Sequence, residues 1–219
     1  MNFGGSRLAD AILGGWGLGG NLSFHTGLPI NVLMQRNNVV YYNPNTGNYT
    51  TNPVASGGHA VTTAVINVPG GGQSRGLQRP DVVPGVDPYV HTSNGFWLNP
   101  AAFSVPRAGT YGNLGYNALT GPHFAQLDTS VAKRFPVTER VNLELRGEIY
   151  NLLNHPNFSN PTANLGGGLP ASAGSGLQPG QAFTTTSASS SFGLLGSTVG
   201  QYINNGTARQ IQVALRLSF

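Results

Sequence analysis

The sequence predicts an all-β fold, an antiparallel transmembrane β-barrel fragment of about four long strands with two long Gly/Pro/Asn-rich extracellular loops. Three observations predict it. Four segments alternate apolar and polar residues with period two, the signature of a strand whose faces meet different surroundings. Each runs about 9–12 residues, where soluble strands are nearer 5–6 and a tilted strand crossing a bilayer needs about 9–11. Charged residues make up only 8% of the 219-residue chain, against roughly a quarter in soluble domains.

The first segment, "GWGLGGNLSFHTG" near 15–28, puts Trp16, Leu18, Leu22 and Phe24 on one face and Gly17, Gly19, Asn21, Ser23 and His25 on the other. The second, "AQLDTSVAKRF" near 124–135, sets Ala125, Leu127, Thr129 and Val131 against Gln126, Asp128, Ser130 and Arg134. In the third, "VNLELRGEIYN" near 140–153, Val141, Leu143, Leu145 and Ile149 oppose Asn142, Glu144, Arg146, Glu148 and Tyr150. The fourth, "RQIQVALRLSF" near 209–219, carries Ile211, Val213, Leu215, Leu217 and Phe219 on one face. Charges stay on the polar faces, apart from Lys133 at the end of an apolar one. A membrane barrel needs this division, with lipid outside and water or polar side chains inside. A soluble β-sandwich also alternates; strand length and scarcity of charge favour the bilayer. If they are right, Leu127, Val131, Leu143, Leu145, Val213, Leu215 and Leu217 form one apolar face that the rest of the chain leaves uncovered.

The connections have the lengths a barrel requires. "FPVTERV" is a tight turn between the second and third segments, whereas the connections near 29–122 and 155–208 are long. Membrane barrels place short turns at one rim and long loops at the other. With Phe219 at the periplasmic rim, counting strands backwards puts the tight turn in the periplasm and both long connections outside the cell. The last three segments should pair as neighbours, the second with the third and the third with the fourth. Within the long connections, "VPGGGQSRG" and "NLGGGLPASAGSGLQPGQAF" read as low-complexity loops. "NPAAFSVPRAGTYGNLGYNALTGPHF" mixes aromatics with turn residues and should pack as an ordered loop.

Composition excludes several functions. The formal charge is +4, and the basic residues, ten Arg and Lys133, are scattered, so a nucleic-acid footprint is not expected. Cysteine is absent, which removes disulfides and Cys-ligated metals. No run of about 18 apolar residues could form a transmembrane helix. The opening "MNFGGSRLADAILGG" lacks a basic n-region leading into an apolar h-region, so no signal peptide is expected.

Motifs that resemble chemistry have plainer readings. "GWGLGG" matches G-x-G-x-x-G at Gly15, Gly17 and Gly20, but a strand pattern follows where a dinucleotide site needs a helix, and the next acid is Asp81. "GQSRG" around Ser74 sits in a glycine-rich loop, not on a strand-to-helix elbow. His25, His59, His91, His123 and His155 lack metal-ligand spacing and read as loop or surface residues. Glu144 and Glu148 flank Arg146 at strand spacing; a charge ladder facing a lumen accounts for them more simply than paired-carboxylate catalysis. No catalytic residue, cofactor or metal is expected.

"ILGGWGLGGNLSFHTGLPINV", "NPAAF", "GNLGYNALTGPHFAQLDTSVAKRFPVTERVNLELRGEIYNLLNHPNF" and the terminal "RQIQVALRLSF" together resemble the C-terminal barrel portion of TonB-dependent outer-membrane receptors, in the Oar-like branch with a carboxypeptidase-regulatory-like domain. The resemblance covers about half of the residues. Its most specific piece is "ERVNLELRGEIYNLLNHPNF", since a generic barrel strand has no need of Asn154-His155-Pro156-Asn157-Phe158. It implies the outer membrane, lipid contact, and a final strand whose Ile211, Val213, Leu215, Leu217 and Phe219 are read by the barrel-assembly machinery as an insertion signal. Complete members add a signal peptide, a plug, a TonB-contacting segment and a barrel of about 22 strands. The chain therefore resembles a C-terminal portion, linked to TonB only through regions it lacks, with Met1 falling in a periplasmic turn. The transported substrate is not written in the loops. The alternative is a secreted or surface-attached β-rich binding or structural module.

Overall fold

The computed structural model describes residues 12–35, 40–50, 60–61, 77–90, 94–107, 110–167, 177–200 and 208–219. The elements in chain order are β1 (Trp16–His25), β2 (Pro29–Ile30), β3 (Leu33–Gln35), β4 (Val40–Asn43), β5 (Asn48–Thr50), β6 (Ala60–Val61), β7 (Leu77–Gln78), β8 (Asp81–Val82), β9 (Phe103–Ser104), β10 (Leu119–Thr120), β11 (Phe124–Pro136), β12 (Asn142–Tyr150), β13 (Asn164–Gly167) and β14 (Gln210–Ser218). They fall into two compact units. One comprises 1–26, 122–159 and 197–219; the other comprises 27–121 and 160–196.

The first unit is the sheet that the alternation demands. Its order is β1-β11-β12-β14, with every neighbouring pair antiparallel. The expected neighbours pair, β11 with β12 and β12 with β14, and β1 joins on the far side of β11. Register keeps like faces together: Leu18 opposes Val131, Leu143 opposes Leu217, and Gly147 lies between Val131 and Val213. A slip of one residue would turn every apolar side chain of a strand to the polar face. The β11–β12 turn closes through Val137 N–H to the Val141 carbonyl at 2.9 Å, and Thr138 Oγ1 accepts from Val141 N–H at 3.1 Å. At the entrance to β1, Gly15 has φ +72° and a Cβ there would meet the Arg134 carbonyl oxygen at 2.6 Å. Only glycine fits that approach.

His25 opposes Phe124 and Tyr150 opposes Gln210, so both long connections leave from one rim of this sheet. The tight turn after Pro136 and the end of β14 lie at the other.

The second unit is more built than long loops require: even "NLGGGLPASAGSGLQPGQAF", expected as a low-complexity loop, begins with β13. Short strands form a β10-β2 pair, a β13-β3-β7 sheet in which β13 runs parallel to β3, a β5-β4-β6 sheet and a β8-β9 pair. Val32, Met34, Leu98, Phe103, Val105, Leu165, Phe183 and Phe192 are buried in one apolar core. Phe103 and Phe192 meet edge to face with ring centres 5.8 Å apart. The "NPAAF" stretch begins with a single 3₁₀ turn at Pro100–Ala102, capped by the Asn99 side chain accepting from Ala101 N–H. That ordered loop is present, with Phe103, Leu114 and Leu119 buried while Tyr111 and Tyr116 stay exposed. "VPGGGQSRG" and its Ser74 lie outside the described residues.

Candidate functional site: the two faces of the long-stranded sheet

The apolar face of the β1-β11-β12-β14 sheet is open. Leu18 is 82% accessible, and Leu22, Phe24, Ile211, Val213, Leu215 and Leu217 are likewise exposed. Of the seven residues expected on the uncovered face, Val131, Leu145, Val213, Leu215 and Leu217 are exposed, while Leu127 and Leu143 are half-buried. A sandwich would bury these side chains against a second sheet. Contiguous apolar exposure on this scale is foreign to a soluble monomer and marks a surface made for another medium. Phe219 lies one residue beyond β14 and is 95% accessible.

Lys133 is the one charged side chain on this face among the described residues, and it is 4% accessible. Its ammonium donates to the Ile12 carbonyl at 3.0 Å and to the Gly14 carbonyl, and lies 4.9 Å from the Trp16 ring centre and 5.5 Å from that of Phe135. The chain entering β1 thus wraps the cation in carbonyls and ring faces. A buried charge costs far less when it is hydrogen-bonded in this way. The alternation pattern alone marked Lys133 as an exception; the carbonyls that satisfy it are 119 and 121 residues away.

The opposite face is polar and charged. Arg134, Glu144 and Arg216 form one row across three strands, and Arg134 Nε meets Glu144 Oε2 at 2.8 Å. Arg146 Nη2 meets Glu148 Oε1 at 2.7 Å, and the Tyr150 hydroxyl donates to Glu148 Oε2 at 2.6 Å. Gly17, Gly19, Ser130 and Ala132 lie beside these charges, and their small size leaves an open cleft of about 520 Å³. The "GWGLGG" glycines thus belong to β1 and its entrance, and the next element after β1 is the strand β2. Glu144 and Glu148 sit four residues apart on one strand, about 13 Å along it. Carboxylates that flank a glycosidic bond stand about 5–9.5 Å apart, and each of these has its own arginine.

At the rim where the long connections leave, a network of side chains closes "YNLLNHPNF". Asn151 is buried with φ +50°. Its side chain accepts from His155 N–H and donates to the His155 carbonyl, both at 2.9 Å. Asp128 accepts from Asn151 N–H at 2.9 Å and from Gln126 Nε2. Asn157, also buried, accepts from Ala125 N–H at 2.8 Å, and Asn154 accepts from Arg209 N–H at 3.0 Å at the start of β14. The asparagines that a generic strand does not need therefore anchor the β12 exit to β11 and β14. Here His123 and His155, 32 positions apart in sequence, come together with ring centres 5.4 Å apart. His25 stacks on Phe124 at 4.8 Å. Among the described residues no three His, Cys, Asp or Glu side chains gather as metal ligands.

In the second unit, a recess of about 340 Å³ is lined by Phe96, Leu98 and Phe192 together with Asn94, Asn99 and Ser190.

The family model described as outer membrane beta barrel domain matches residues 1–212. The chain belongs to that family, and its place is the outer membrane. No curated protein and no solved structure matches it.

Proposed function

We propose that this outer-membrane chain is the closing portion of the barrel of a TonB-dependent transporter of the Oar-like branch, not an enzyme. The observation that carries the reading is the four-stranded antiparallel sheet with one open apolar face, β1 and β14 at its edges, and both long connections at one rim. Edge N–H and C=O groups left in hydrocarbon cost several kcal/mol each, in order of magnitude. A closed barrel needs about eight strands at least, so further strands complete this one. The sequence resemblance supports a barrel of the large, plugged kind. In such a transporter the polar face lines the lumen, where the Arg134–Glu144–Arg216 row faces the plug. The long connections lie outside the cell, and their packed unit contacts the substrate. Lipid covers the apolar face, the assembly machinery reads Ile211, Val213, Leu215, Leu217 and Phe219, and TonB acts through regions N-terminal to these strands.

The test is the size and behaviour of the polypeptide that carries these peptides in isolated outer membranes. The reading expects one chain long enough for a plug and about 22 strands, whose substrate uptake stops when TonB is deleted. A barrel built from these strands in a short polypeptide, working equally well without TonB, would overturn it.

A further inference from the structure

We propose that His123 and His155 form a two-histidine site for a divalent transition-metal ion of the zinc type, at the rim from which the long connections leave. Their ring centres are 5.4 Å apart and their planes are tilted by 38°. Metal–nitrogen bonds of about 2.0–2.1 Å hold two imidazoles on one ion with ring centres roughly 5 Å apart. The pair already has nearly that spacing.

The stronger argument is the way His155 is held. The oxygen of the Asn157 amide accepts from Ala125 N–H at 2.8 Å, which fixes the oxygen end of that side chain. His155 Nδ1 lies 3.1 Å from the same oxygen. An amide oxygen only accepts, so Nδ1 carries the proton, and in the neutral imidazole Nε2 is the nitrogen that keeps its lone pair. Metal-binding histidines are oriented in this manner, by donating their other ring N–H to a fixed oxygen. The backbone of His155 is held as firmly, with its N–H and its carbonyl both bonded to the buried Asn151 side chain. Two buried asparagines are thus used to aim one half-exposed imidazole. His123 is exposed, lies against the Phe24 ring at 6.0 Å, and among the described residues no hydrogen bond engages its nitrogens. Among the described residues no third His, Cys, Asp or Glu side chain joins the pair, so water or an incoming ligand takes the remaining positions of a four-coordinate ion.

The experiment is histidine labelling with diethyl pyrocarbonate on the full chain in outer membranes, with and without Zn²⁺, read by peptide mass spectrometry. Zn²⁺ should protect His123 and His155 together and leave His25, His59 and His91 as reactive as before, whereas Mg²⁺ should protect none. His123→Ala and His155→Ala should each weaken Zn²⁺ binding by about 10–100-fold or more, the loss that follows removal of even an outer-shell partner. Equal labelling with and without Zn²⁺ would overturn the site and leave the pair as aromatic packing and a turn cap. Protection of His123 that persists in His155→Ala would overturn it equally. The wild-type labelling decides the matter even if a variant fails to fold.

Discussion

The two units use apolar residues in opposite ways. In the long-stranded sheet, Leu18, Leu22, Ile211, Val213 and Leu215 point outward and are exposed. In the packed unit of the long connections, Val32, Leu98, Phe103 and Leu165 are completely buried. The first pattern needs lipid as its solvent and gains little from the chain's own atoms on that face. The second obeys the rule for proteins in water, where burial itself supplies the driving force. One polypeptide thus carries a surface sorted by medium and a core sorted by packing. The same mutation type should therefore have different consequences in each.

The largest effect is expected in the packed core. Phe103→Ala removes a wholly buried ring that meets Phe192 and lies in the β8–β9 pair, at a cost of about 3–5 kcal/mol. Limited proteolysis of intact cells should then cut the long connections rapidly, while the amount of folded barrel in the outer membrane stays the same. Equal loss of folded barrel would show that the two units do not fold independently.

On the sheet, Val213→Arg sets a charge on the open apolar face beside Gly147. The cost is about 2–4 kcal/mol near the bilayer midplane. Gln212→Arg, one residue away on the polar face, should be close to neutral. Heat-modifiable folded protein in membrane fractions reads both. Similar losses from the two substitutions would mean that the faces do not differ in medium, and the contrast between the units would collapse.

The rim network should respond less. Asn151→Ala forces an ordinary residue into a left-handed conformation and removes both bonds to His155; we expect a loss of about 1–3 kcal/mol. Asn151→Gly relieves the backbone strain but not the missing bonds, so it should be less harmful. Urea unfolding of the protein in lipid vesicles measures the two. An equal cost for Ala and Gly would assign the whole effect to the side chain's hydrogen bonds.

What could be read in the sequence follows from period. Leu143, Leu145, Leu215 and Leu217 alternate, so their strands, faces and pairing are legible in the sequence. Lys133 and the charge ladder could be placed on their faces but not given partners, because the Ile12 and Gly14 carbonyls are far away in sequence. Of the packed unit, only the ordered loop that begins at "NPAAF" was legible; the core it joins was not. Val32, Leu98, Phe103, Leu165 and Phe183 come from separate short segments with no common period, and their convergence is decided only by packing. The His123–His155 pair was hidden for the same reason: spacing along the chain says nothing about residues that meet through a β11–β12 register. "NHPNF" is conspicuous as a string, but the string does not show that Asn154 and Asn157 accept from Arg209 N–H and Ala125 N–H on neighbouring stretches of the sheet.

The smallest energetic effect belongs to Phe219, and it separates recognition from stability. The residue is 95% accessible and lies past the last ladder pair, Ser218 with Asn142, so little packing is lost when it changes. A carboxylate near the interface costs only about 0–1 kcal/mol. Phe219→Asp, or deletion of Phe219, should nonetheless reduce folded protein in the outer membrane far more than Leu217→Val, which keeps an apolar residue on the lipid face. A large defect from so small a thermodynamic change requires that the terminal aromatic is read during insertion. The amount of heat-modifiable protein after a pulse of synthesis measures it, and unfolding of the purified variants in vesicles checks that stability is unchanged. Equal folded amounts of wild type and the deletion would mean that Phe219 is no insertion signal. The end of β14 would then be an ordinary strand terminus.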